Sequence, residues 1–217
     1  MEKGNKSEME KENKSEQISI KPLNYKTITV EIIGTNSLLQ NGQSPEMKEK
    51  LKERQKGTIP RKNRENRDSN VEFQRAISPY RLPDSGGFGH PCSAIRLSMV
   101  AAAKLQGIPM TDAKQYFRII SDYGNLIPIL DLKNKLAKPT EREDTGRRPP
   151  KIGGIDFLIR GEYKYWKMKF QISFDQDLIG TDAIINLLRH AGVKVGIGDW
   201  RPEKSGNFGT WELKTSK

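Results

Sequence analysis

The sequence predicts an α+β domain in which one antiparallel sheet carries helices on one face and long basic insertions interrupt the core. Three observations lead to this prediction. Several short segments alternate apolar and polar residues, as half-buried strands do. Two segments place apolar residues at helical spacing. Two other stretches contain almost only polar and charged residues, and the hydrophobic content of 34% is low enough that part of the chain must lie outside the core.

The first half of the chain contains one predicted strand and one predicted helix. In Lys26–Ile33, β-branched residues alternate with polar ones, and Gly34 ends the run. In Pro91–Leu105, apolar residues recur every three or four positions. Ser93 is the candidate N-terminal cap of this helix, and Gly107 is its stop signal.

The second half supplies the remaining elements. Strands are predicted at Asp112–Ile120, which could be partly helical, at Leu126–Leu130 and at Tyr163–Phe174. A short helix over Asp182–Ala191 comes next, and residues 193–213 are expected to form two strands joined by a glycine-rich loop. This order suits a ferredoxin-like fold, whose sheet has one free face. In RNA-recognition modules, single strands lie on that face.

The chain is expected to consist of a charged tail and one domain. Residues 1–17 carry four lysines and five glutamates without apolar periodicity, so they are predicted to form a disordered tail. Residues 18–217 are then a single domain with basic insertions at about 44–70 and 131–151. The first insertion has nine cationic and five anionic side chains, and the second has seven and four. Both insertions are expected to be mobile in the isolated protein. They could contact nucleic acid, or they could be solvated loops without a binding role.

The charge of the whole chain predicts an acidic partner. The formal net charge is +11, which makes single-stranded nucleic acid the first expectation and anionic membrane the second. No apolar run is long enough to span a bilayer, and no signal peptide is present, so a cytoplasmic protein is expected. One cysteine and two histidines are too few for a Cys/His zinc site, and no metal or cofactor is predicted.

The most informative stretch of the sequence is GIGDWRPEKSGNFGTWEL, residues 196–213. Its glycines are Gly196, Gly198, Gly206 and Gly209. Glycine permits positive φ and close approach of another group, so the loop could hold an anion with its backbone amides, Arg201 and Lys204. An ordinary long hairpin loop is the alternative. Trp200 could stack on a base or pack beneath the loop, whereas Trp166 and Trp211 are expected in the core or at a subunit interface.

Three segments, in the correct order, resemble the RAMP superfamily (repeat-associated mysterious proteins). The ending at residues 196–213 is similar to the glycine-rich loop of those proteins. His90 to Arg96 (HPCSAIR) resembles the motif that opens their first helix, with Cys92 and Ala94 where glycine and serine are usual. TITVEIIGTNSLLQNG, at residues 27–42, resembles their first strand and its turn. The WRPEK-containing ending is also similar to that of small phage and prophage proteins, which would be divergent members.

The resemblance implies a non-catalytic RNA-binding backbone subunit with an RRM-like core. Such subunits stack head to tail along a guide RNA in a CRISPR-type effector complex, where other effector subunits are possible partners. In RNA-cleaving backbone subunits, an aspartate follows the first strand, and residues 34–43 here contain no carboxylate. The alternatives are a phage protein of the same fold that binds or anneals single-stranded DNA, and a RAMP-type endoribonuclease with His90 as its catalytic residue.

Basic and glycine residues make up the rest of the predicted nucleic-acid site. Arg96 and Lys104 lie on the first predicted helix and could reach phosphate, or they could extend over the sheet edge. The other predicted contacts belong to the insertions and to the closing loop: Arg61, Lys62, Arg64, Arg147, Arg148, Lys151, Trp200, Arg201, Lys204, Gly206 and Gly209.

Overall fold

The computed structural model describes residues 20–42, 45–57, 68–83, 85–147 and 155–214. Within them the strands are β1 (Tyr25–Gly34), β2 (Leu38–Gln40), β3 (Gly89–Pro91), β4 (Phe117–Ile120), β5 (Leu126–Pro128), β6 (Thr140–Arg147), β7 (Ile155–Tyr163), β8 (Lys167–Asp175) and β9 (Trp211–Leu213). The α-helices are α1 (Pro45–Gln55), α2 (Ser69–Ile77), α3 (Cys92–Leu105), α4 (Met110–Tyr116) and α5 (Thr181–His190). The predicted α+β class with antiparallel pairing is confirmed.

The main sheet has the strand order β4-β8-β1-β9, and all of its pairs are antiparallel. Val30 lies opposite Phe170 and Ile32 opposite Met168, and all four side chains are buried. Helices α3 and α5 contact each other and contribute residues such as Ile95 to the same core. Burial of each large aliphatic or aromatic side chain contributes about 1.5–3 kcal/mol, so this inner layer supplies the main driving force for folding.

The opposite side of the main sheet is named here the open sheet face. In register, its central strands present Thr29 opposite Gln171 and Thr27 opposite Ser173. The edge strand β4 adds Arg118, which is exposed, opposite Ser173. This alternation is typical of an antiparallel sheet that buries one face and exposes the other to solvent.

Two smaller sheets complete the fold. Strands β2, β7 and β6 form a three-stranded sheet in the order β2-β7-β6, and β3 pairs with β5. Strand β6 (TEREDTGR) has no apolar alternation, so sequence patterning could not identify it. Its pairing with β7 and the ion pairs described below hold it in place.

The two clearest sequence predictions are confirmed, with one correction. Strand β1 and helix α3 match the predicted Lys26–Ile33 and Pro91–Leu105, and Gly107 follows the end of α3 with φ of +81°. The prediction that Ser93 caps α3 is wrong, because the N-cap residue is Pro91, which makes no side-chain cap hydrogen bond. The first amides of α3 therefore lack the usual side-chain acceptor.

Two other predictions need correction. Residues 112–120 are divided between helix α4 and strand β4, as the partly helical alternative allowed. The strand expected just before the glycine loop is wrong, since Ala191–Val195 continues α5 as a π-helical turn. Gly196, with φ of +72°, ends that turn, and its amide donates to the Ala191 carbonyl at 2.9 Å. The apolar spacing of this segment therefore reflects a helix end and not a strand.

The basic insertions contain regular structure. Helix α1 and the start of α2 lie in residues 44–70, and strand β6 lies in residues 131–151. Their mobility in the isolated protein stays a prediction. Residues 58–67 and 148–154, with five of the predicted contacts, lie outside the described residues. No helix in the described part of the chain is both long enough and apolar enough to cross a membrane.

Candidate nucleic-acid interface

Residues 196–210, named here the glycine segment, fold back onto the turn between β1 and β2. The Gly209 amide donates to the Ser37 carbonyl at 2.7 Å, and the Asp199 amide donates to the Leu39 carbonyl at 2.9 Å. The Ile197 amide donates to Gly209 within the segment at 3.0 Å. The prediction that these amides are available to an anion is therefore wrong, because they already bind carbonyl oxygens.

Two positions of the glycine segment require glycine because other backbone atoms of the segment lie too close for a Cβ atom. A Cβ on Gly206 would overlap the carbonyl oxygen of Trp200, and a Cβ on Gly209 would overlap that of Ile197. Gly209 also has φ of +66°, which favours glycine. The sequence correctly predicted that another group approaches these glycines closely. That group is the backbone of the glycine segment, at Trp200 and Ile197. Contact of either glycine with nucleic acid stays a prediction.

An ion–aromatic cluster, which consists of Arg142, Asp144, Arg160, Asp199, Trp200 and Phe208, joins the glycine segment to β6 and β7. Arg160 is 2% exposed, and it donates to Asp199 at 2.6 Å and to Asp144 at 3.1 Å. The Trp200 ring lies 4.1 Å from the Arg160 guanidinium carbon. Trp200 therefore packs on the protein itself, which is the second of the two roles expected for it.

Arg142 is placed like Arg160, with carboxylates as hydrogen-bond acceptors and an aromatic ring against its guanidinium group. Arg142 donates from Nε to Asp144 at 2.9 Å and from Nη1 to Glu162 at 3.1 Å. The Phe208 ring lies 4.8 Å from the Arg142 guanidinium carbon. Hydrogen bonding to Asp144, more than its charge, raises the pKa of Arg142. Each carboxylate of the cluster therefore has an arginine partner.

Arg201 and Lys204 occupy different environments. Arg201 donates from Nε to Glu203 at 3.0 Å and from Nη1 to the Gly198 carbonyl at 3.1 Å. Lys204 is exposed at the end of a short 3₁₀ turn. The positive charge of Arg201 is therefore already compensated, whereas no ion pair of Lys204 with a described residue is found.

A cleft of about 270 Å³ lies between β2, the start of α3 and the glycine segment. His90 and Arg201, both predicted site residues, meet there, and Tyr80, Asn41 and Asp199 are further polar lining residues. The remaining lining residues are Leu39, Pro91, Ala94 and Gly198. The cleft thus combines apolar walls with a few polar groups, as ligand sites do.

The protonation of His90 follows from its neighbours. Gln40 Nε2 lies 2.8 Å from the Gly89 carbonyl oxygen and 3.1 Å from His90 Nδ1. A carbonyl can only accept, so this end of the Gln40 amide is the donating NH₂ group, and Oε1 accepts from the Tyr163 hydroxyl at 3.2 Å. His90 Nδ1 is therefore an acceptor, and the proton of the neutral imidazole lies on Nε2.

Burial keeps His90 neutral. Burial, with a smaller contribution from the charge of Arg201, lowers the pKa of His90 from 6.5 to about 3. Its Nε2 has no hydrogen-bond partner among the described residues. Tyr80 stacks on the imidazole with ring centroids 6.0 Å apart, and burial raises the pKa of this tyrosine. His90 is thus a neutral, unpartnered donor in the wall of the cleft.

Comparison with solved structures finds proteins of similar architecture. No protein-family model matches the sequence, and no curated protein matches it. A chain of the Type III-B Cmr-beta bound to cognate target RNA, solved by cryo-EM, matches 88% of this chain with a TM-score of 0.55 at 12% identity. This protein therefore shares its fold with that chain. The resemblance predicted from the three sequence motifs is confirmed at the level of the fold.

A second solved structure is more distant, and the chain differs in length from the first. The crystal structure of Cmr6 from Pyrococcus furiosus matches 88% of this chain with a TM-score of 0.45 at 10% identity, and 98% of its own length is covered. The chain spans about 60% of the length of the Cmr-beta neighbour. What these proteins bind is therefore considered below only as a proposal.

Two further predicted contacts on α3, Arg96 and Lys104, do not line the cleft. Arg96 uses its guanidinium to bind the carbonyl of Lys114, which joins α3 to α4, and Lys104 is exposed near the end of α3. Arg147 is the last residue of β6. The remaining five lie outside the described residues: Arg61, Lys62, Arg64, Arg148 and Lys151. The part that each plays in binding stays a prediction.

Some residues at the cleft or beside it were not predicted as site residues. Gln40, Asn41 and Tyr80 are examples, and only the fold brings them to His90 or to the cleft. Arg160 pairs with Asp144 and Asp199, which are 16 and 39 residues away in the chain. Among the described residues, no group of three or more potential ligands could hold a metal ion.

Proposed function

We propose that this protein is a cytoplasmic, non-catalytic RNA-binding backbone subunit that assembles head to tail along a guide RNA in a CRISPR-type effector complex. The observation that carries the proposal is the fold, which matches 88% of this chain to a chain in the structure of the Type III-B Cmr-beta bound to cognate target RNA. The formal net charge of +11 supports an anionic partner. Lys204 and Lys104, which are exposed, are the described cations assigned to phosphate contacts.

The protonation of His90 supports the absence of catalysis. A general base needs an unprotonated nitrogen facing its substrate, whereas His90 carries its proton on Nε2 and accepts from Gln40 at Nδ1. A pKa of about 3 also prevents this imidazole from acting as a cationic acid near neutral pH. The segment after β1 supplies no carboxylate either. His90 is therefore assigned to binding.

Exposed apolar side chains support assembly with a neighbouring subunit. Leu97 and Leu105 lie eight residues apart on α3 and are 54% and 58% exposed. Val193, in the π-helical turn that contacts α3, is 68% exposed. Large exposed apolar side chains that lie on neighbouring elements are typical of protein–protein contacts. Head-to-tail contact through such a surface is a heterologous interface, which gives open filaments.

Nucleic-acid binding is tested with a labelled single-stranded RNA and a DNA of the same sequence at equal salt concentrations. We expect tighter binding of the RNA, and an affinity that falls steeply with salt concentration because phosphate contacts release counterions. Tighter binding of the DNA would favour the phage single-stranded DNA-binding protein. No binding of either strand would overturn the proposal.

Assembly is tested by mass photometry with RNAs of increasing length. Head-to-tail stacking predicts that the number of protomers rises in steps with RNA length. A constant single protomer on every RNA would contradict stacking but not RNA binding.

Catalysis is tested with end-labelled RNA. We expect no cleavage by the wild-type chain. Cleavage that is lost in His90→Ala while binding persists would instead establish the endoribonuclease alternative.

A further inference from the structure

The charged groups that line the cleft already have counter-charges. Arg201 binds Glu203, and Asp199 Oδ2 accepts from Arg160 at 2.6 Å. Asp199 Oδ1 also accepts from the Trp200 amide at 3.1 Å. The cleft therefore offers neither an uncompensated cation nor an uncompensated carboxylate. A phosphate group gains most from an unpaired cation, so the cleft is poorly matched to one.

The polar group of the cleft that lacks a hydrogen-bond partner in the described part of the chain, His90 Nε2, is uncharged. His90 Nε2 carries a proton, has no partner among the described residues, and belongs to a side chain that is only 3% exposed. An unpaired buried donor destabilises the folded protein, and a ligand with an acceptor would remove that penalty. Asn41, an exposed residue with a neutral side chain, lines the cleft as well.

The shape and walls of the cleft suit a flat ring. Leu39, Pro91 and Ala94 provide apolar surface beside these polar groups, and the volume of about 270 Å³ is that of a small site. Unstacked bases are bound in such surroundings, with their faces against apolar or aromatic side chains and their edges hydrogen-bonded. Carbonyl oxygens and ring nitrogens on those edges are neutral acceptors.

We propose that this cleft receives one unstacked base of the bound RNA strand, and that His90 Nε2 donates a hydrogen bond to an acceptor on the edge of that base. The inference rests on the RNA binding proposed above and adds one base contact per subunit. His90 Nε2 is itself buried, so a base reaches it only after a neighbouring side chain moves. Arg201, whose side chain is 30% exposed and bound to Glu203 at the surface, is the neighbour best able to do so.

The experiment is a double-mutant cycle that combines a substitution at His90 with removal of the bases from the RNA. The full chain is titrated with a 12-nucleotide uridine RNA and with a strand of the same sugar and phosphate units that lacks bases. His90→Phe keeps an aromatic ring beside Tyr80 and removes the donor. It is expected to weaken binding of the uridine strand about five- to tenfold and to leave binding of the abasic strand within about twofold.

The matched control is His190→Phe, the same substitution at the end of α5, which should change binding of neither strand. Circular dichroism establishes that each variant is folded. If His90→Phe does not fold, Asn41→Ala at the exposed rim of the cleft takes its place, with a smaller loss again confined to the uridine strand.

The two proposals fail in different ways. Equal losses for both strands, or no loss for either, would overturn the base-binding cleft and leave RNA binding intact. If wild-type protein binds neither strand, RNA binding itself is overturned, and the cleft proposal with it.

Discussion

The arginines around the cleft and Arg118 on the open sheet face differ in whether a carboxylate pairs with them. Around the cleft, Arg160 and Arg201 each bind a carboxylate, and Arg160 is buried. On the open sheet face, Arg118 is exposed, and no ion pair with a described residue is found for it. Charges at the cleft therefore hold the structure together, whereas Arg118 remains available to a partner.

This difference also separates two kinds of contact with nucleic acid. Phosphates are bound by cations that have no other partner, and the affinity then depends strongly on salt concentration. Bases are bound by apolar surface and neutral hydrogen-bonding groups. Because the charges at the cleft are compensated, a positive net charge of the whole chain does not by itself locate the phosphate contacts.

The largest expected effect tests whether Arg160 is structural. Arg160→Met leaves Asp144 and Asp199 without their shared partner and should lower the free energy of unfolding by about 3–5 kcal/mol. The matched control, Arg118→Met on the open sheet face, should change it by less than about 0.5 kcal/mol. Urea denaturation measures both. Similar losses in the two variants would contradict the comparison.

The next effect tests the packing of the glycine segment. Gly209→Ala introduces a Cβ that overlaps the Ile197 carbonyl oxygen at positive φ, so we expect a loss of about 2–4 kcal/mol in the free energy of unfolding. Gly107 also has positive φ, but no atom lies within 4 Å of a Cβ built there. Gly107→Ala should therefore cost only about 1 kcal/mol. Equal losses for Gly209→Ala and Gly107→Ala would show that positive φ, and not overlap with the Ile197 carbonyl, makes position 209 require glycine.

The third effect is the dependence of stability on pH that the cleft introduces. The pKa of His90 is about 3 in the folded protein against 6.5 in the unfolded chain, so the unfolded chain takes up the proton first as the pH falls. Stability present above pH 6.5 is lost on acidification, by about 2 kcal/mol at pH 5. Thermal denaturation at pH 7 and pH 5 should show a smaller difference for His90→Phe than for the wild type. His190→Phe should behave as the wild type does; a reduced difference there would contradict the assignment.

The smallest effect locates the bound strand. Glu203→Gln releases Arg201 from its ion pair and should strengthen RNA binding about threefold if phosphates pass the glycine segment. Glu212 is an exposed carboxylate of β9 that lies on the side of the main sheet opposite its core. Fluorescence anisotropy should show that Glu212→Gln leaves RNA affinity nearly unchanged. A stronger gain from Glu212→Gln than from Glu203→Gln would place the strand on the open sheet face.

Predictions from the sequence succeeded where a local pattern decides the structure. Strand β1 and helix α3 have clear periods of burial, and both were predicted nearly to their ends. The RAMP resemblance, which three separated motifs supported, matches the fold that structural comparison finds. Of the predicted site residues, His90 and Arg201 meet at one cleft.

Other parts of the structure could not be predicted, because contacts distant in sequence determine them. Strand β6 is polar throughout and depends on β7 and on arginine–carboxylate pairs for its place. Residues 193–197 have the alternation of a strand, but the π-helical turn packs against α3 instead. Tertiary packing overrides a local pattern of only a few residues.

The sequence by itself determined the α+β class, the two best elements, the basic character and the need for glycine between residues 196 and 209. Only the tertiary structure decided what those glycines approach, which cations are already paired, and on which nitrogen His90 carries its proton. The physical reason is that charge compensation and hydrogen-bond direction are properties of pairs. Arg160 with Asp199, and His90 with Gln40, are separated by 39 and 50 residues in the chain and meet only in the folded protein.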